Sequence, residues 1–104
     1  MRELDLTLPA VPGENDLRTA WLTKHLTARL MDFGPGGPEV VSSLPEVGKV
    51  LARFPGHDTG AVVAQLGEMG ITLSQEGDCA AFYLRPHIRF EDLDHLWGCL
   101  FEIL

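Results

Sequence analysis

The sequence predicts an α+β fold: a small antiparallel sheet of three to four strands with helices packed on it, in the order (β)-α-β-β-α-β-β-α. Three observations lead there. Apolar residues recur every three or four positions in separate segments, which is helical spacing, and the segment closest to the C-terminus shows it most clearly. Between the helical segments lie short runs of β-branched and aromatic residues, broken by Gly and Pro. Neighbouring runs are joined by tight turns, so they pair antiparallel and leave one face for the helices to cover. The 104 residues suit one domain spanning residues 1–104, and no repeat, low-complexity tract or linker divides them.

The first segment alternates Leu4, Leu6 and Leu8 before Pro9 and Pro12 interrupt it. Residues 1–14 are therefore expected to be an extended arm or an edge strand. A helix follows, capped by Asn15 or Asp16, whose short side chains can accept from the free N–H groups of its first turn. Leu22, Leu26, Leu30 and Phe33 form its stripe, widened by Leu17 and Trp21, and the run Gly34-Pro35-Gly36-Gly37-Pro38 ends it. That glycine run follows a helix, whereas phosphate-binding loops open one, so it reads as a turn.

Two strands are expected at about Glu39–Ser43 and Lys49–Phe54, with Pro55-Gly56 closing the second. Asp58 or Thr59 caps the next helix, on which Val62, Leu66 and Met69 share a face, and Gly70 suits the left-handed position that ends it. "ITL" and "CAAFYL" are a third and a fourth strand. The last helix places Phe90, Leu93, Leu96, Trp97, Leu100, Phe101 and Leu104 on one side, with Glu91, Asp92, Asp94 and His95 opposite. Leu93, Leu96, Trp97 and Leu100 are expected to be its buried residues, and Trp21, Trp97, Phe90 and Phe101 to help build the core.

Hydrophobic residues make up 45% of the chain, enough for a packed core and too many for a disordered segment. The formal charge of −7 comes without any Lys/Arg cluster, which argues against nucleic acid and anionic membrane as partners. There is no signal-peptide pattern and no apolar run of about 20 residues to span a bilayer. Cys79 and Cys99 form no C-x-x-C pair, so reduced thiols and a cytoplasmic location are expected. His25, His57, His87 and His95 share no metal-ligand spacing, and no metal site is expected.

From Asn15 onward the chain resembles the small C-terminal domain of class V aminotransferases. This is the pyridoxal-phosphate group that includes cysteine desulfurases and selenocysteine lyases. "VLARFPGHDTGAVVAQLGEMGI" is similar to the family's strand, helix and L-x-x-x-G-I sequence. "RFEDLDHLWGCLFEIL" is similar to its closing helix, with early acidic residues and D-x-L-x-x-x-L. The resemblance places Cys79 where desulfurases of the group carry the catalytic cysteine that takes sulfur from the substrate as a persulfide.

This sequence departs from that pattern in several places. The family's arginine and polar, often histidine-containing, residues before the cysteine are replaced by Ser74, Gly77 and Asp78. Asp78 opposes thiolate formation, because like charges disfavour ionisation. The family's carboxylate-binding arginine falls at Ala81, and its long active-site loop has shrunk to Ala80. Arg85 lies four residues beyond Ala81 on the same apparent strand. Arg85 and Arg89, flanking "PHI", are candidate anion-binding residues, with solvated surface charges the plainer reading. The large cofactor domain is absent from this chain, and neither Lys24 nor Lys49 sits in a Schiff-base motif, so no pyridoxal phosphate is expected.

Cys79 keeps two readings: a persulfide-carrying or redox thiol, or a small residue packed at the start of an apolar strand. The local residues favour the second. The resemblance implies a detached small domain acting as a non-catalytic interaction or regulatory module. Its alternatives are a sulfur- or selenium-handling accessory using Cys79, and the small subunit of a split pyridoxal-phosphate enzyme. An uncovered apolar face implies a weak homodimer or a protein partner, such as the large domain of such an enzyme.

Overall fold

The computed structural model describes residues 3–104. Its elements run β1 (Leu4–Asp5), α1 (Asp16–Met31), β2 (Glu39–Leu44), β3 (Lys49–Arg53), α2 (Thr59–Glu68), β4 (Ile71–Thr72), β5 (Ser74–Glu76), β6 (Cys79–Tyr83) and α3 (Phe90–Ile103). A four-stranded antiparallel sheet has the order β2-β3-β6-β5, and β1 pairs with β4 in a separate parallel ribbon. The expected α+β class and element order are found. The strand expected at "ITL" continues past Leu73 into β5, so that one run serves two sheets.

The arm is held by backbone pairing. Leu4 N–H donates to Gly70 O at 2.8 Å, Leu6 N–H to Thr72 O at 2.9 Å, and Tyr83 N–H to Leu6 O at 2.9 Å. The arm thus joins β4 to the end of β6. Leu4 and Leu6 bury their side chains there, whereas Leu8 is exposed. Gly70, at φ 87°, makes the turn from α2 into β4 that a Cβ would strain.

All three helices contribute to one core. Leu22, Leu26 and Leu30 of α1, Val62 and Leu66 of α2, and Leu93, Leu96 and Leu100 of α3 pack with Val50, Ala52, Ala80 and Phe82 of the sheet. Alternation places Lys49, Leu51, Arg53, Cys79, Ala81 and Tyr83 on the other face of the sheet. Asn15 caps α1 by accepting from Arg18 N–H at 3.2 Å. Asp58 precedes α2 without a side-chain cap bond; Thr59 Oγ1 instead donates to Asp78 O at 2.7 Å, tying the helix start to the β5–β6 turn.

Several expected core residues lie elsewhere. Leu17, Trp21 and Phe101 are exposed, because they fall on the sides of α1 and α3 turned away from the sheet. Trp97 and Phe90 are half-buried. Trp97 forms an aromatic group with Phe33 and Phe101, ring centres 5.6 and 5.3 Å away, and the Arg29 guanidinium lies 5.3 Å from its ring centre. Asp92, expected opposite the apolar side, is buried, and its carboxylate accepts from Arg89 N–H at 3.0 Å at the start of α3.

The contact between α1 and α3 includes a charged group. Asp94 Oδ1 accepts from His25 Nε2 at 2.9 Å and Arg29 Nε at 3.0 Å. These donors, His25 first, hold the Asp94 carboxyl below its ordinary value. A depressed carboxyl contributes stability above its unfolded value of about 3.9, and that contribution is lost as pH falls through the folded value. The native chain should therefore exceed Asp94→Asn in stability at pH 7, with the gap closing below about pH 4. Urea unfolding of both proteins at the two pH values measures this; an unchanged gap would contradict it.

Candidate functional site

Cys79 opens β6 opposite Glu76, and the residue is 7% exposed. Burial pushes the thiol up, and Asp78 pushes it further. The Sγ–H donates to Asp78 Oδ1 at 3.5 Å, and that carboxylate opposes a second negative charge. Arg53 pulls the other way more weakly. It is already held by Glu39 Oε1 at 2.5 Å and Asp78 Oδ2 at 3.6 Å. Cys99 is also buried, its thiol raised by desolvation and by Glu102.

A reactive thiol is accessible and has its anion stabilised; Cys79 has neither property. Labelling of the folded protein near neutral pH, with Cys99→Ala as background, should therefore run well below the rate of an unstructured cysteine. A faster rate would contradict this placement.

Beside Cys79 lies an open cleft of about 570 Å³, between the ends of β2 and β3, the turn into α2 and the β5–β6 turn. Glu39, Asp58 and Asp78 line it with Arg53, His57 and Thr59. The local sequence did not reveal it, because its walls come from three separate segments. Among the described residues no group of three or more His, Cys, Asp and Glu is arranged to hold a metal.

Ala81, where the resemblance puts the carboxylate-binding arginine, is fully buried although it faces away from the helices. The register explains this. Glu76 is opposite Cys79, Ser74 is opposite Ala81, and Lys49 is opposite Tyr83. Tyr83 Oη nevertheless donates to Glu76 Oε2, and Lys49 Nζ reaches Glu76 Oε1 at 2.9 Å. Both contacts therefore pass over the row containing Ala81. They hold the Glu76 carboxyl below its ordinary value, Tyr83 contributing most.

The two candidate arginines are both engaged. The strand ends at Tyr83, so Arg85 lies beyond it and does not continue the face of Ala81. Its Nη2 is 2.8 Å from Glu14 Oε2. Arg89 precedes α3 with Nη1 3.8 Å from Glu91 Oε2. Of the two lysines, Lys49 is held in the Glu76–Tyr83 group and Lys24 is exposed on α1.

A further feature is the outward side of α1. Apart from Asp16 at its start, the exposed residues of this helix are Leu17, Trp21, Lys24, Ala28 and Met31. Leu17, Trp21 and Met31 are 62%, 54% and 67% exposed. Their spacing is visible in the sequence, but read by hydrophobicity alone Leu17 and Trp21 look like part of the core stripe.

No protein-family model matches the chain, and no curated protein matches it. Solved structures do. A NifS-like protein superposes with a TM-score of 0.73 at 19% identity, over 86% of this chain and 28% of that one. The NifS-like protein from Rickettsia africae ESF-5 gives 0.75 at 17% identity, over 88% and 29%. The chain thus spans less than a third of the length of these proteins. It has the fold of that portion of a NifS-like chain, as the small-domain resemblance implied.

Proposed function

We propose that this chain is a protein-interaction or regulatory module without chemistry of its own. The observation that carries the reading is the outward side of α1, where three large apolar side chains stand in solvent on a helix most of whose polar side chains are partly or fully covered by the rest of the chain. An exposed apolar surface of this kind on a small domain marks a place where another surface binds. The buried Cys79, with its ionisation opposed by Asp78, supports a structural thiol over a sulfur acceptor. A second reading, the small subunit of a split pyridoxal-phosphate enzyme, is supported by the match to under a third of NifS-like chains.

Among the described residues no helix is long and apolar enough to cross a membrane. A cytoplasmic location is part of this proposal. Affinity purification of the chain from its native cell under reducing conditions tests the reading. A stoichiometric polypeptide partner is expected. Recovery of the chain alone, with sulfur carried on Cys79, would overturn it and favour the accessory role.

A further inference from the structure

Helix α1 departs from the usual arrangement of a surface helix on its outward side. Ordinarily the apolar stripe faces the core and the polar side faces water. Here Leu22, Leu26 and Leu30 do face the core, but most of the polar residues of the helix are also taken up within the chain. Thr23 Oγ1 donates to Thr19 O and Thr27 Oγ1 to Thr23 O, both at 2.8 Å. Arg18 donates to Pro86 O at 2.6 Å and Ile88 O at 2.8 Å. His25 and Arg29 are held by Asp94. Apart from Asp16 at its start, what remains for solvent is Leu17, Trp21, Lys24, Ala28 and Met31.

These five residues are spaced alternately four and three apart. That repeat of 3.5 keeps them in a narrow, slowly winding stripe along one side of a helix, the geometry that receives another helix. Lys24 lies at its centre. Among the described residues every other lysine and arginine meets a carboxylate or a backbone carbonyl, and Lys24 meets neither.

We infer that the outward face of α1 docks an amphipathic helix of another protein, whose apolar residues cover Leu17, Trp21, Ala28 and Met31 and whose central carboxylate pairs with Lys24. This rests on the reading of the chain as a binding module and names its surface and partner chemistry. A second copy fits less well. Antiparallel packing that sets Leu17 against Met31 of the copy also sets Trp21 against Ala28, but it brings Lys24 onto its own symmetry mate. The net charge of −7 adds to that repulsion. An anionic bilayer is recognised by clusters of basic residues, and this stripe has a single basic residue, Lys24.

The test uses two synthetic three-heptad helical peptides with leucine at the core positions. One carries glutamate at the central core position and the other lysine. Each is fluorescently labelled and titrated with the full chain, binding being read by anisotropy. The glutamate peptide is expected to bind at least about tenfold more tightly than the lysine peptide, because like charges at an interface are strongly disfavoured. Lys24→Glu should reverse that preference, and Trp21→Glu should abolish binding of both. Both positions are exposed, and circular dichroism checks that the variants fold.

Binding of neither peptide, or equal binding that Lys24→Glu leaves unchanged, would overturn the proposal. So would a dimer in sedimentation that Trp21→Glu dissociates, which assigns the face to a second copy. Sedimentation with vesicles of anionic phospholipid that Lys24→Glu prevents would assign it to a bilayer and overturn it likewise. If the peptides fail but the native cell still yields a stoichiometric partner, the surface is wrong and the module reading stands. If no partner is recovered, the module reading itself falls.

Discussion

Replacing Phe82 by alanine should destabilise the chain by about 3–5 kcal/mol. Phe82 is fully buried in β6, which has a strand on either side, and it pairs with Val50 of β3. Its neighbours on the same face of the sheet, Ala52 and Ala80, are too short to fill the space a truncation leaves. The lost transfer free energy and the residual cavity therefore add. A domain of this size is stable by roughly 5–15 kcal/mol, so the change removes a large part of the total. Urea unfolding followed by circular dichroism should show a lower midpoint with little change in slope. A loss below about 1 kcal/mol would mean that Phe82 does not occupy this packed position.

Gly48→Val should have a comparable effect for a different reason. Gly48 lies between β2 and β3 at φ 66°, a conformation that a β-branched residue adopts only under strain. An added Cβ would stand 2.6 Å from Thr19 Cγ2 and 2.7 Å from Leu84 O. That oxygen belongs to backbone already tied here, since Leu84 N–H donates to Gly48 O at 2.8 Å. The hairpin could escape the contact only by moving off α1 and the end of β6. Backbone strain of about 1–3 kcal/mol and overpacking of a similar size add to roughly 2–6 kcal/mol. Gly48→Ala should lie in the lower part of that range. Thr19→Ser removes the Cγ2 contact and should recover part of the Gly48→Ala loss in a double-mutant cycle, whereas strict additivity would contradict the geometry.

The helices and the two β-hairpins were legible because local chemistry determines them. Proline and glycine mark the turns, and Gly70 ends α2 in the left-handed conformation its position suggested. The alternation of Leu4 and Leu6 showed an extended arm, but not its partner. That partner, β4, lies more than sixty residues away and pairs parallel, a choice that local pattern does not encode. Leu73 lies between the two short strands on its flanks, so a single apolar run concealed a change of sheet.

The misplaced residues of α1 teach a narrower lesson. At about 100° per residue, Trp21 falls about 140° from Leu26 and Leu17 about 180° from it. The angles alone put both on the far side of the helix. Hydrophobicity made them look like core, and the core is narrower than the apolar content of the helix.

The candidate site was legible where charge decides and hidden where burial decides. Asp78 beside Cys79 in sequence already implied a poorly ionised thiol, and its carboxylate does accept from the Sγ–H. The burial that contributes most to raising the thiol comes from packing that no local pattern specifies. Ala81 likewise gave no sign that Glu76, Tyr83 and Lys49 meet above it, since that contact needs the register of three strands.

The central claim is that the working surface of this chain is the outward face of α1 and not the thiol of Cys79. It is tested most directly by comparing two single variants, Trp21→Glu and Cys79→Ser, as bait in quantitative affinity purification from the native cell. Both should fold, since Trp21 is exposed and serine differs from cysteine by one atom. Cys79→Ser should retain the partner of the native chain at unchanged stoichiometry, and Trp21→Glu should lose it. Retention by Trp21→Glu with loss by Cys79→Ser would contradict the account and place the function at the thiol.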